Sequence, residues 1–523
     1  MKHRIILSTV LSFTLGSAVA QLPEDALRMT WNLPSGTARQ QAIGGAMGSL
    51  GGDISTIFVN PAGLGFYKTG ELVISPGLSL TNSKSNFLGN TTKAGMNSSF
   101  NLGTSGVVWA GSNRYSRWTS SAFGLAVNRT ANFNNTTRYS GRNDYSSFSE
   151  NMANEFFEFY NIRKTNSPNR PDLDIVDEAL NSGDLSLLTK MGLYTYLIDI
   201  DSSQGQSTII SRAEEAGVVD QVNNITTSGG ITELAFGFSG NMDDRLFLGG
   251  SIGVPIVNYN RLTEYTETDA NGTGNNEFGY STYTEDYTSK GLGINAKLGL
   301  IFKPVNLVRV GLTVHTPTLY GLTDNFTSSL TTDLDVSGDV FSVNARDVNN
   351  NQDPQFKYDL RSPWRFILGG SYVLREAADV RNQKGFITAD VEYINYGSSK
   401  FAAGEEGVST EEYRSINSIV NEIYKGVFNF RVGGELKFNT LMTRLGFAYY
   451  GNPYEDPEIT ARRMNITGGL GYRNKGIFVD LAYVHGLNRD TNFPYRLGAP
   501  RLNVFSEQRE SNGNLLLTFG VKF

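Results

Sequence analysis

Residues Asn514 to Phe523 read N-L-L-L-T-F-G-V-K-F. Leu515, Leu517, Phe519, Val521 and Phe523 alternate with Leu516, Thr518, Gly520 and Lys522, so one face is wholly apolar and the other largely small or polar. A period of two marks an extended strand with two different faces. Closing on Phe, this stretch is expected to be the sealing strand of a bacterial outer-membrane β-barrel. It is also the address that the barrel-assembly machinery would read.

Working backward, similar segments lie at about 476–488, 464–473, 441–451, 426–438, 385–399, 354–375, 307–325, 287–303, 245–260, 230–240, 119–132, 98–110 and 70–83. With the last strand the count is fourteen, even as a single-chain bacterial barrel requires. The connections sort by parity. Gly111–Arg117, Gly240–Asp244, Pro304–Asn306, Arg375–Lys384, Asn439–Thr440 and Asn474–Lys475 are short. The other set, at 133–229, 261–286, 326–353, 400–425, 452–463 and 489–512, runs longer. Short periplasmic turns and long outer loops are the expected asymmetry of such a barrel. A soluble sandwich has no reason to sort its loops this way. Helical spacing appears within the long loops, at Phe148–Tyr160, Leu185–Ile200 and Glu411–Tyr424. The fold class is therefore all-β: a 14-stranded antiparallel transmembrane β-barrel with long, partly helical extracellular loops.

The first residues look like a leader. Lys2, His3 and Arg4 precede an apolar run from Ile5 to Leu15, and Ala18-Val19-Ala20 offers a cleavage site, so residues 1–20 are expected to be a signal peptide. No later segment approaches the roughly 20 apolar residues of a membrane-spanning helix. The chain has no cysteine, so an exported protein must draw its stability from burial or a closed sheet. Its net charge is −6 and no basic cluster stands out as a nucleic-acid footprint.

Between leader and first strand, residues 21–68 do not alternate. Gly-rich runs at Gly44–Gly48 and Gly51-Gly52 permit close backbone approach, as in a plug packed inside a lumen. Residues 69–523 would form the barrel. The Gly44–Gly52 run lacks the preceding strand and the Lys-Ser/Thr of a phosphate loop.

G-T-A-R at 36–39, G-G-A at 44–46 and N-P-A-G-L at 60–64, with His315-Thr316-Pro317-Thr318, Asp390-Val391-Glu392-Tyr393 and Gly468–Tyr472 followed by Asp480, resemble the FadL/TodX family of outer-membrane transporters for long-chain fatty acids and aromatic hydrocarbons. The resemblance implies an N-terminal hatch, an outer hydrophobic capture site, an inner pocket, and lateral release through an opening at an inward-kinked third strand. It points to Asn60, Pro61, Ala62 and Gly63 as the gating element. In the third strand, Gly124 and the pair Asn128-Arg129 would suit the kink.

If each strand's apolar set faces lipid, Lys297, Arg309, His315, Asp390, Glu392, Arg431 and Arg444 point into the lumen, along with Glu435 and Asp480. The cations among them are candidates for holding a substrate carboxylate. The competing reading is a ladder of ion pairs that stiffens the wall. On the loops, Phe156, Phe157, Leu188, Met191 and Tyr194 are candidates for a greasy landing site, or for the packed core of the loop helices.

Beyond the leader only His315 and His485 remain, so a His-dependent catalytic site has few options, and no metal-ligand cluster appears. The reading is a passive, non-enzymatic conduit for hydrophobic small molecules, with no cofactor, no metal and no nucleic-acid partner, embedded in outer-membrane lipid. The alternative is an adhesive surface barrel with a permanently sealed lumen.

Overall fold

The computed structural model describes residues 22–523 apart from 32, 34, 114, 204–206, 273–276, 336–337, 376–383, 405–409 and 499. The leader expected at 1–20 and most of the 375–384 turn lie outside the described residues. Fourteen strands form the wall. They are β1 (Glu71–Ile74, Pro76–Phe87), β2 (Asn90–Lys93, Asn97–Leu102, Ser105–Ser112), β3 (Trp118–Asn132, Asn135–Asn143), β4 (Val219–Met242) and β5 (Leu246–Asp269). Next come β6 (Tyr280–Val305), β7 (Val308–His315, Leu319–Leu334), β8 (Asp339–Asn344, Gln355–Arg361, Arg365–Leu374) and β9 (Gly385–Asn395, Lys400–Ala403). The last five are β10 (Gly426–Phe438), β11 (Leu441–Tyr450), β12 (Arg462–Asn474), β13 (Ile477–Asn492) and β14 (Ser506–Lys522). Neighbours pair antiparallel, and β14 returns to β1 with Phe519 opposite Ile74 and Leu515 opposite Leu78, closing the sheet.

Closure answers a constraint of the bilayer interior, where an unpaired backbone N–H or C=O finds no water. No described helix is long and apolar enough to cross a membrane, so strands make the crossing. Val310, Leu312, Leu368, Val432, Leu470 and Leu481 project outward, while Thr313, Asp390, Arg431, Arg444 and Asp480 are buried toward the lumen. Outward Trp364, Phe366, Tyr393 and Phe428 mark one edge of this apolar belt, and Trp109, Trp118, Phe438 and Tyr472 the other, as in aromatic girdles.

The wall does not stop at the belt. β4 and β5 have 24 residues each and β6 has 26, against the roughly 9–11 that cross a bilayer. Much of the loops expected at 261–286 and 326–353 is therefore paired strand, as is the start and end of 133–229. Apolar alternation ends there because stretches such as T-E-Y-T-E-T (263–268) and Y-T-E-D-Y-T (283–288) leave the lipid and need no apolar face. Above β3–β8 sits a cap built from α4 (Glu150–Asn166), α5 (Asp172–Asn181), α6 (Leu187–Tyr194) and α7 (Arg212–Glu215), and α8 (Thr410–Ile423) follows β9. Helices lie where spacing placed them at 148–160, 185–200 and 411–424, the second turning into a short strand at Ile198–Asp201.

The position of the belt is testable. Leu312→Arg should destabilise the barrel by about 2–4 kcal/mol in lipid vesicles. Thr284→Arg, on the outward face above the belt, should stay within about 0.5 kcal/mol of wild type. Equal losses in denaturant-induced unfolding would mean the belt is drawn at the wrong height.

Candidate functional site: the plugged lumen and a break in the wall

Residues 22–67 fill the lumen. They fold as α1 (Pro23–Thr30), α2 (Ala38–Ala42), α3 (Thr56–Val59) and a 3-10 turn at Pro61–Phe66. The lower part is fastened to the wall from several sides. Ala38 N–H donates to Thr518 (2.7 Å), Gly44 N–H to Thr467 (3.0 Å) and Gly48 N–H to Asp390 (2.8 Å). Ser251, Ser239 and Ser120 donate to the carbonyls of Ile57, Ala62 and Gly65. Asn60 caps the following turn by accepting from Ala62 N–H (3.1 Å), while its amide donates to Gly48 O (2.6 Å) and to Leu300 O on β6 (3.3 Å).

Wall glycines make this approach possible. A Cβ at Gly299 would overlap the Asn60 side chain, and one at Gly311 would overlap the Gly48 carbonyl. Gly249 faces Gly299 across β5–β6, Gly311 faces Gly369 across β7–β8, and Gly433 faces Gly446 across β10–β11. Such opposed pairs dent the wall and seat the plug backbone. They were visible in the sequence as inward-facing glycines on adjacent strands, a signal that reading each strand alone overlooks.

The lumenal charges expected from alternation all point inward, and most are already paired. Lys297 binds Glu233 (2.5 Å) and Asn295 (2.6 Å). Arg431 binds Glu392 (3.2 Å), which also accepts from Asn429 (2.8 Å). Arg444 is fully buried between Glu435 (2.7 Å) and Asp480 (2.6 Å). His315 Nε2 lies 2.9 Å from Val59 O, and the Arg309 guanidinium sits over the Phe66 ring at 4.9 Å. Lys297, Arg431 and Arg444 therefore stand in the ion-pair ladder and are not presented as free carboxylate hooks. His485 faces outward beside Tyr483. Among the described residues, no group of three or more His, Asp or Glu is placed to hold a metal ion.

α1 occupies the upper lumen, where an apolar patch of the wall receives it. Leu27, Met29 and Trp31 pack among Tyr320, Tyr358, Leu360, Ile394, Tyr396 and Phe401, with Ile416 and Val420 of α8 alongside. Arg365 donates to Thr30 O (2.5 Å) and Arg463 to Trp31 O (2.7 Å), pinning the end of the helix. Two cavities flank α1. One, of about 340 Å³, is bordered by Ser79, Asn101, Arg129, Phe133, Tyr259 and Arg463; the other, of about 120 Å³, by Glu233, Lys297, His315, Tyr320, Arg365 and Glu392. Both touch Val59, Arg431 and Tyr450.

The larger cavity abuts a break between β2 and β3. Their backbones pair only over Ser105–Ser112 with Ser120–Val127. Among the described residues, β3 above that point pairs with β4 alone. A bulge falls at Thr130, and the strand is interrupted at Phe133-Asn134. Side chains bridge the gap: Asn132 donates to Ser99 Oγ (3.2 Å) and Asn90 to Ser140 O (3.0 Å). Gly124, expected at a kink, lies instead in regular pairing, and a Cβ there would strike Ile57 of the plug.

No family profile and no curated protein sequence matches the chain. Among solved structures it is similar to a Pseudomonas aeruginosa FadL homologue, at a TM-score of 0.53 and 14% identity over 94% of this chain and 99% of that one. It is also similar to the Pseudomonas putida toluene transporter TodX, at 0.50 and 14% identity over the same shares. The fold is the FadL-type barrel. Within this FadL-type barrel the cap packs three of its five candidate landing residues into a core, the other form expected of the loop helices. Phe156 (0% exposed) and Met191 (1%) are sealed in the cap core with Leu188 packed against them, because α4 and α6 bury their apolar stripes on each other and on Tyr265 and Leu330 of the wall. Phe157 and Tyr194, each 50% exposed, are the members of that set that face out.

The cap contains a pH-sensitive pair. Burial, and then the neighbouring Glu214 carboxylate, push the Glu150 carboxyl up to about 7 against the pull of Arg501 at 3.2 Å. Burial raises Glu214 as well.

Two outcomes are expected. Arg444→Met should destabilise the barrel by about 3–5 kcal/mol, since Glu435 and Asp480 would be left buried without their cation; an unchanged denaturation midpoint would remove Arg444 from the ladder. An acid whose folded-state pKa is raised stabilises the fold most when protonated. The cap should thus be firmest below pH 4.5, the ordinary glutamate value, and loosen until pH has risen through about 7. Hydrogen exchange of residues 150–166, corrected for intrinsic rates, should show this trend, and Glu150→Gln should flatten it.

Proposed function

We propose that the chain is a passive conduit that carries hydrophobic or amphiphilic small molecules, such as long-chain fatty acids, across the bacterial outer membrane. The observation that carries the reading is the larger lumenal cavity opening against the β2–β3 break, which supplies a sideways route out of the wall. The solved FadL homologue and the toluene transporter share the architecture, which supports the cargo class.

Energetics favour a local gate. Each plug hydrogen bond contributes about 1 kcal/mol net, so expelling the whole plug would forfeit on the order of 10 kcal/mol, comparable to the stability of a domain. α1 is held by apolar contacts of Leu27, Met29 and Trp31 and by a few polar ones, from Arg365, Arg463 and Arg496, that are fewer than the bonds fastening the lower plug. A hydrophobic solute arriving from the cap, past Phe157 and Tyr194, competes for the same aromatic walls and displaces α1. Asn60, Pro61, Ala62 and Gly63 shift only as far as the downstream cavity requires. The solute then leaves between Ser99 and Asn132. Differential binding to the two α1 positions is the only drive this needs.

The polar lining of both lumenal cavities favours a second reading, in which the plug is a permanent seal and the cap is an adhesive surface. Uptake of radiolabelled long-chain fatty acid, in cells lacking their own transporter, separates the two. Wild type should take up the label. The chain is cysteine-free, so a Ser99→Cys/Asn132→Cys variant can staple the break alone. Oxidised, it should lose uptake at least tenfold, and a reductant should restore it. Failure of properly inserted wild type with fatty acids and with aromatic solutes would leave the sealed barrel standing.

A further inference from the structure

A row of cations crosses the outer face of the barrel. Arg462 of β12 lies opposite Arg489 of β13, Arg489 opposite Arg509 of β14, Arg509 opposite Lys84 of β1, and Lys84 opposite Lys93 of β2. Four share their strand face with outward apolar residues: Arg462 with Ile466 and Leu470, Arg489 with Leu481 and Leu487, Arg509 with Leu515 and Leu517, Lys84 with Leu78 and Leu80. With neighbouring strands about 4.8 Å apart, the five positions span roughly 19 Å.

Like charges set directly opposite one another destabilise a strand pair. The row is relieved by one acid, Glu507, 3.8 Å from Arg509. Among the described residues Lys84, Lys93, Arg462 and Arg489 make no ion pair. So long a line of facing cations calls for an anion supplied from outside the chain.

Its height says which anion. On β13 the outward side chains from Ile477 to Leu487 are Ile477, Val479, Leu481, Tyr483, His485 and Leu487. They cover about 33 Å along the strand and about 25 Å along the membrane normal at barrel tilt, the height of the apolar belt. Arg489 is the next outward residue, at the level of lipid headgroups on the cap side.

We propose that this surface docks a phosphorylated, multiply acylated glycolipid of the outer leaflet, with phosphates on the cation row and acyl chains against the outward Leu80, Leu487 and Leu515 below it. A free phosphate would leave the apolar wall directly below the cations unused. A second copy of the chain meeting this face across a two-fold axis would set cations against cations. The inference rests on the barrel residing in the outer membrane.

The test uses the purified full chain in detergent and native mass spectrometry. The probes are a bis-phosphorylated, hexa-acylated glucosamine disaccharide, the same lipid without phosphates, and inorganic phosphate alone. Wild type should retain the phosphorylated lipid and release the other two. Anionic headgroups contribute roughly fivefold per Lys or Arg near the surface, so Lys84→Gln/Arg489→Gln/Arg509→Gln should weaken retention about 100-fold. Arg489→Lys should bind like wild type, and heat-modifiable migration should show every variant folded. Equal retention by the triple variant, or of the dephosphorylated lipid, overturns the proposal. Binding of inorganic phosphate as tightly as the lipid would reduce it to an anion site. The assay needs neither transport nor a cellular membrane, so absence of the chain from outer-membrane fractions would count against the residence reading alone.

Discussion

Pairing of every backbone amide within a closed sheet is the constraint from which the rest of this molecule follows. An open edge at bilayer depth would strand N–H and C=O groups where water cannot reach them. Closing β14 on β1 removes that edge but creates an interior too wide for side chains alone to fill. Residues 22–67 fill it. Because they bring unpaired backbone groups of their own, the wall must present Ser120, Ser239, Ser251, Thr467, Thr518 and Asp390 to satisfy them. The polar inner face is thus as much a receptor for the plug backbone as a lining for cargo.

The ladder of buried charges belongs to the same logic. Arg444, Glu435 and Asp480 are costly to bury and are tolerated because each is matched. Lys297 reaches Glu233 from two strands away, over Gly253, where any side chain would block the contact. Charge matching across a missing side chain locks strand register in a stretch where many residues are interchangeable Gly, Ser and Thr.

Much of this was legible before the structure. Alternation assigned faces correctly for Arg431, Asp390, Leu312 and Leu481, because lipid on one side and polar contacts on the other impose a period of two. The Arg444–Glu435 pair was readable in principle, since the tight Asn439-Thr440 connection sets the β10–β11 register. Asp480 as its second partner was not, because the 451–461 connection between β11 and β12 sets no register that composition reveals. The strand extensions above the belt were missed for the reason that makes them soluble: Thr, Glu and Tyr on both faces leave no hydrophobic period. Phe156 and Met191 were ambiguous because an amphipathic stripe looks the same whether its partner is a solute or another helix. The docking of α1 into the upper lumen left no period to read, because it depends on Tyr320, Tyr358 and Phe401 of three different strands and on Ile416 and Val420 of α8.

The β2–β3 break has a mechanical side. A closed tube resists twisting because hoop tension runs unbroken around its circumference, and a slit tube loses most of that stiffness. Here the circuit is carried past the slit by the segment from Ser105 to Ser112 and the side-chain staples above it. Thermal breathing of the whole barrel should therefore gather at one seam, so the wall's softest mode and the proposed exit share a single line on the surface.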